Sequence, residues 1–252
     1  MKGTVYLVGA GPGAPDLLTV RAVRLLGEAE IVFHDALVPR EILLLASKAK
    51  KIAVGKRSGR RSTAQRFINK QLADAARTHR VVVRLKGGDP MLFGRAHEEI
   101  GFLKNQGIVV EIVPGVTAAL AASADLRISL TRRGTARSVT LVTPRVGEGE
   151  RPSSWVGAVL AADTAAIYMG AGEAQAIAAA LTAAGKPGST PVAVVENSSL
   201  PEASFRFGTL ENLSGLAAEF AGPTLILLGE VYREAAAEAE RLLRERTTSH
   251  AA

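Results

Sequence analysis

Short β-branched and aliphatic runs alternate with longer amphipathic segments along this chain, and that alternation constrains its fold more than any other feature. Thr4–Val8, Ile31–His34, Lys51–Val54, Val81–Lys86 and Val109–Val113 read as strands. Leu17–Glu28, Thr63–Thr78 and His97–Gln106 read as the helices between them. Several of these strands are apolar at successive positions, the pattern required when helices cover both faces of a parallel sheet. Ser62 and Gln65 have the spacing of an S-x-x-Q capping box, which places the start of the second helix. The expected class is α/β.

The second half repeats the theme with different spacing. Ser138–Thr143, Ala165–Met169, Pro191–Glu196 and Thr224–Gly229 are strand candidates, with Glu173–Ala184 and Glu211–Phe220 as helices. Phe205–Leu210 is a candidate further strand, antiparallel, after the Ser198–Pro201 turn. A length of 252 residues is comfortable for two domains. Charge divides the same way: residues 1–120 hold 19 Lys and Arg against 10 Asp and Glu, whereas residues 121–252 hold 12 against 14. That break and the Pro114–Gly115 pair set a boundary near 115, giving one α/β domain over 1–115 and a second over 116–246. Arg233–Arg246 is an alanine-rich terminal helix, and residues 247–252 are expected to fray.

Composition excludes several functions. There are no cysteines, which removes disulfides, thiolate zinc sites and a cysteine nucleophile and fits a cytoplasmic protein. The four histidines do not form a metal-ligand pair such as H-x-x-x-H, so no metal site is expected. No apolar run approaches the ~18 residues of a membrane span, and the first residues read as a strand and turn rather than a signal peptide. The net charge of +7 is densest between Lys48 and Arg61, which include seven basic residues. Such a run either contacts a polyanion or is a solvated face. Aromatics are only 4%, which disfavours base stacking.

Two glycine-rich turns carry the chemistry. Gly9-Ala10-Gly11-Pro12-Gly13-Ala14 follows the first strand and mimics a dinucleotide fingerprint, with Asp35 where a ribose-binding acid would stand. Pro12 removes a phosphate-binding N–H, however, and Pro15 delays the helix to about Asp16, so its N-terminus does not begin inside the loop. The physically sounder reading is a tight turn whose backbone approaches another group closely. Gly87-Gly88-Asp89-Pro90 ends the fourth strand in the same style, at the edge where open α/β sheets bind ligands. There Asp89 either accepts hydrogen bonds from a ligand or serves only to turn the chain.

VYLVGAGPGAPDLLT, HDALV, VGKR, VVRLKGGDPMLFGR, VPGVTAALAA, Tyr168-Met169-Gly170 and PVAVVEN occur in that order over nearly the whole chain. Together they resemble the tetrapyrrole methylase family. The resemblance implies two α/β domains with mostly parallel sheets, S-adenosylmethionine held in the cleft between them, and a homodimer. It implies transfer of two methyl groups to uroporphyrinogen III, giving precorrin-2 for sirohaem or cobalamin synthesis and leaving S-adenosylhomocysteine. By position, the cofactor contacts would be Pro12, Gly87, Gly88, Asp89, Leu92, Thr117 and Ala118, with Met169 and Ser198 from the second domain. Asp35 falls at the position of the proton acceptor and Lys56 at that of the proton donor. Both follow strands closely, so the two are expected to pair.

Methyl transfer from a sulfonium is an in-line displacement, in which the protein supplies positioning and a water-poor environment. The substrate is a polycarboxylate, which gives the basic first half a purpose. Arg21, Arg57, Arg84, Arg95, Arg132 and Arg133 are candidates to bind it. Ala14, His34, Arg95-Ala96-His97, Ile128–Arg133 and Thr143-Pro144-Arg145 depart from the usual family pattern, along what the family uses as substrate walls. Alternatives are a methylase of the same fold acting on a later corrin intermediate, an RNA or a modified protein histidine, and a non-catalytic basic binding protein. A tetrapyrrole substrate and no nucleic-acid or membrane partner is the expectation.

Overall fold

A computed structural model describes residues 2–54, 65–147, 151 and 153–249. The chain forms two compact units, Met1–Ala118 and Ala119–Ala252, so the division comes at Ala118 rather than at 115.

The first unit is built on five parallel strands: β1 (Thr4–Gly9), β2 (Ile31–His34), β3 (Lys50–Ala53), β4 (Val81–Lys86) and β5 (Val109–Val113). Their order is β3-β2-β4-β1-β5. The intervening helices are α1 (Val20–Glu28), α2 (Arg40–Leu44), α3 (Gln65–Ala76) and α4 (Ala96–Asn105). Side chains alternate between the two faces of the sheet. Val5, Leu7, Phe33 and Val82 meet Ile68 and Leu72 of α3 and Leu103 of α4. Val8, Val32, Val83 and Leu85 meet Leu25 and Leu26 of α1 and Ile42 of α2. Neighbouring strands β1 and β4 pair from Thr4 with Val81 to Gly9 with Lys86, so their C-terminal ends are level. From there β1 leads past β4 to β2, while β4 leads past β1 to β5. Two adjacent strands departing in opposite directions form a switch point, where such sheets bind ligands.

Helix α1 starts later than expected. Pro15–Leu17 form a single 3-10 turn, Leu18 is extended, and the Thr19 hydroxyl accepts the Ala22 N–H at 3.2 Å to cap a helix beginning at Val20. Ser62 of the expected capping box lies outside the described residues. Its proposed partner Gln65 turns its side-chain amide to Asn69 and Glu99, each at 3.0 Å. The short helix α2 was not expected, because five residues behind Pro39 show too little periodicity to register.

The second unit carries α5 (Ala118–Leu126), β6 (Val139–Val142), α6 (Trp155–Ala161), β7 (Thr164–Tyr168), α7 (Ala174–Ala183), β8 (Pro191–Glu196) and β9 (Ser204–Thr209). After these come α8 (Leu213–Ala218), β10 (Thr224–Gly229) and α9 (Arg233–Ser249). The sheet order is β6-β7-β10-β8-β9. Both units are α/β, and the four strand pairs of the first sheet are parallel. In the second sheet only β6–β7 is parallel; β10 runs opposite to β7 and β8, and β9 opposite to β8. The β8–β9 connection is a short turn, which can join only antiparallel strands. Ala165, Ile167, Val192, Val194, Ile226 and Leu228 form the sheet side of its core, under Ile177 and Leu181 of α7 and Leu213 of α8. Helix α9 continues to Ser249, past the expected end at Arg246. No helix among the described residues is long and apolar enough to cross a membrane.

Replacing Thr19 with Ala removes the α1 cap and should cost about 1 kcal/mol. Chemical denaturation should show that loss without a change in the slope of the unfolding transition.

Candidate active site

The exits of β1 and β4 meet backbone to backbone. The Gly88 N–H donates to the Gly11 carbonyl at 2.7 Å, and the Gly11 N–H donates back at 3.2 Å. Gly88 sits at φ +65°, a conformation that penalises side chains. Gly115, just after β5, closes the group. A Cβ on Gly9 would lie 2.6 Å from the Gly115 Cα and 2.7 Å from the Gly88 carbonyl oxygen. Asp89 ties the turn together: Oδ1 accepts the Met91 N–H at 2.7 Å and Oδ2 the Gly115 N–H at 2.9 Å. The Asp89 carboxylate thus serves the turn itself, one of the two roles left open by the sequence.

Outward, the same turn is bare. A Cβ on Gly88 would meet nothing within 4 Å, and one on Gly87 only the Leu37 Cβ at 3.9 Å. This is a cradle in which a ligand can lie against main chain. Pro12 and Leu92 are half-buried on the turns beside it, and Thr117 and Ala118 are half-buried where α5 begins. In the second unit, Met169 follows β7 directly, is 45% exposed and holds φ 57°, so it is not core filler. Non-glycine residues in that region are uncommon and concentrate at functional sites. Ser198 follows β8, is buried, and donates its hydroxyl to Asp125 Oδ2 at 2.8 Å; the Ser199 N–H shares that acceptor.

Asp35 follows β2, as expected, but its described partner is Arg84 rather than Lys56. Arg84 Nη2 donates to Asp35 Oδ1. Lys56 lies outside the described residues, as does Arg57. Arg84 itself corrects an expectation: its side chain is 3% exposed, so it is not a surface cation for substrate carboxylates. Its Nε donates to Glu99 Oε1 at 3.1 Å, and Nη1 to the Leu85 carbonyl at 3.2 Å. Lys86 Nζ reaches both oxygens of Glu99 at 3.2 and 3.3 Å. Burial lowers the Lys86 pKa, aided by the Arg84 charge and opposed by Glu99 and Asp35. Glu99, wholly buried on α4, was missed by the sequence reading, although it shares a helix face with buried Ala96 and Leu103.

The other candidate arginines are on the surface. Arg21 is exposed on α1, and Arg133 is exposed in the second unit. Arg95 makes a two-bond pair with Glu98 at 2.6 and 2.8 Å, and Arg132 pairs with Glu234 at 3.1 Å. Exposed pairs like these hold their partners weakly, so either arginine can exchange its carboxylate for another.

Comparison with known proteins identifies the family. The tetrapyrrole (corrin/porphyrin) methylase signature matches residues 4–214, and the chain belongs to that family. Among individual relatives, it is 44% identical over 236 residues to the uroporphyrinogen-III C-methyltransferase of Pseudomonas aeruginosa, covering 93% of this chain and 96% of that one. It is 44% identical over 232 residues to the sirohaem synthase of Chromobacterium violaceum, covering 91% of this chain but only 49% of that enzyme. The crystal structure of uroporphyrin-III C-methyl transferase from Thermus thermophilus complexed with S-adenyl homocysteine superposes with a TM-score of 0.81. The two are 42% identical, over 92% of this chain and 99% of that one.

The glycine geometry separates two substitutions. Gly9→Ala puts a methyl into backbone and should lower the melting temperature by more than about 5 °C. Gly87→Ala, facing open space without a left-handed φ, should change it by less than about 2 °C. Differential scanning calorimetry of both variants checks the pair.

Proposed function

We infer that this chain is an S-adenosylmethionine-dependent C-methyltransferase that methylates uroporphyrinogen III twice, giving precorrin-2 for sirohaem or cobalamin synthesis. The observation that carries this is the full-length match to the Pseudomonas aeruginosa enzyme, 96% of which the chain covers. The bare main chain at Gly87 and Gly88 supports the reading, since a Cβ on Gly88 would meet open space where a ligand can approach the backbone.

On this reading the Gly87–Asp89 turn, Pro12 and Leu92 contact S-adenosylmethionine, together with Thr117 and Ala118 where α5 begins. Met169 and Ser198 are the contributions of the second unit. The cofactor supplies an electrophilic methyl group on a sulfonium, and the acceptor is an electron-rich pyrrole carbon. The chain supplies orientation and proton handling. Methylation of a ring carbon that already bears a side chain leaves a cation, which is neutralised by loss of a proton from nitrogen or a neighbouring bridge carbon. Asp35 accepts that proton at Oδ2, because Oδ1 is held by Arg84. Lys56 is the proton donor of the same reading. Arg21, Arg57, Arg95, Arg132 and Arg133 are the cations offered to substrate carboxylates. A cytoplasmic homodimer without a nucleic-acid partner completes the proposal; light scattering should return twice the 26.3 kDa chain mass.

Incubation with uroporphyrinogen III and S-adenosylmethionine should yield a product two methyl groups heavier by mass spectrometry. Absence of methyl transfer to it, alongside transfer to RNA, a protein or a later corrin, would overturn the substrate. Gly87→Ala should weaken S-adenosylhomocysteine binding by about tenfold or more in calorimetry, about 1.4 kcal/mol, with the fold intact. Undiminished binding would move the cofactor away from this turn. Raising salt from low to physiological strength should raise the substrate KM more than it weakens cofactor binding, since exposed charge pairs are screened.

A further inference from the structure

Four charged side chains lie in sequence on one face of the first sheet: Asp35, Arg84, Glu99 and Lys86. Arg84 and Lys86 are two residues apart on β4, so both point to the face covered by α3 and α4. Glu99 Oε1 accepts from Arg84 Nε, Lys86 Nζ and Gln65 Nε2, and Gln65 in turn bonds the buried Asn69. Three of the four charges are almost fully buried, Arg84 at 3%, Glu99 at 0% and Lys86 at 5% exposure of the side chain. Asp35 alone opens outward, at 31%. Buried ion pairs are weak sources of stability, because desolvation offsets their attraction. What this chain of bonds does supply is direction, ending at one carboxylate.

We propose that Arg84 is a positioning residue for Asp35 in the methyl-transfer reaction. The claim rests on the reading of Asp35 as proton acceptor. The guanidinium is gripped on three sides, by Glu99 through Nε, by its own strand through Nη1, and by Asp35 through Nη2. A guanidinium held in that way anchors Asp35 through Oδ1 and leaves Oδ2 as the oxygen that Arg84 does not hold. Lys86 balances the charge of Glu99, so that Arg84 is committed to Asp35 without leaving a buried anion alone. Glu99 and Lys86 thus act through Arg84, and Arg84 acts through Asp35.

The test uses the full chain, with kcat and KM for uroporphyrinogen III and calorimetry with S-adenosylhomocysteine. Arg84→Met should lower kcat by about ten- to a hundredfold, with KM and cofactor affinity within about twofold of the parent. Arg84→Lys should recover part of kcat, since an ammonium keeps the charge but loses the fork. The Arg84→Met, Asp35→Asn double variant should be no slower than Asp35→Asn alone, because the two act as a unit. Additive slowing, parent kcat in Arg84→Met, or equal losses in kcat and cofactor affinity would overturn the proposal. If Arg84→Met does not fold, Arg84→Lys carries the same comparison, and parent kcat or additive slowing there overturns it. Parent kcat in Asp35→Asn would remove the proton-acceptor reading and this inference with it. A slow Asp35→Asn beside an unimpaired Arg84 variant removes the inference alone.

Discussion

The first unit depends on an approach of main chain to main chain that leaves no room for a single Cβ. Gly9 at the end of β1, Gly88 after β4 and Gly115 after β5 converge within van der Waals contact. Parallel strands bring their C-terminal ends to one edge in any case, and the crossing departures of β1 and β4 open that edge. Glycine at all three exits lets the loops close on each other on the inside while leaving bare backbone on the outside. Asp89 then braces its own turn through the Met91 N–H and stitches it to the segment after β5 through the Gly115 N–H. Tight packing inside and open backbone outside come from one geometric requirement.

A second constraint operates under that edge. β4 is the middle strand of the sheet, with neighbours on both sides, yet it carries Arg84 and Lys86 inward. Such residues persist only when paired, and here Glu99 and Asp35 supply the counter-charges. The arrangement also explains why the basic first half does not translate wholly into a basic surface: two of its cations are consumed internally.

Much of this was legible in the sequence because glycine, proline and strand-end carboxylates punctuate the chain at the site itself. The GAGPG and GGDP turns declare tight backbone at strand ends, and the structure joins them through Gly11 and Gly88. Gly115 read only as a boundary, since nothing local says that a glycine after a proline will meet two other loops. Arg84 and Lys86 stand two apart in an apolar strand, a signal of an inward-facing pair that was overlooked when Arg84 was assigned to the substrate. The partner of that pair was not legible, because Glu99 belongs to a different element, and its helix face identifies it only once Ala96 and Leu103 are known to be buried. In the second sheet only β9 was legible as antiparallel, from the turn before it; the directions of the other strands were not. The sequence pattern for β7, β8 and β10 is the same apolar run whether the neighbour is parallel or antiparallel.

The central claim is that bare backbone at Gly87 and Gly88 receives the cofactor while Arg84 keeps Asp35 aimed. A crystal structure of the protein with S-adenosylhomocysteine tests both parts at once. The account predicts ligand density against the Gly87–Asp89 turn, with the Asp35 carboxylate still bonded to Arg84. Ligand density away from that turn, or an Asp35 released from Arg84 in the complex, would contradict it.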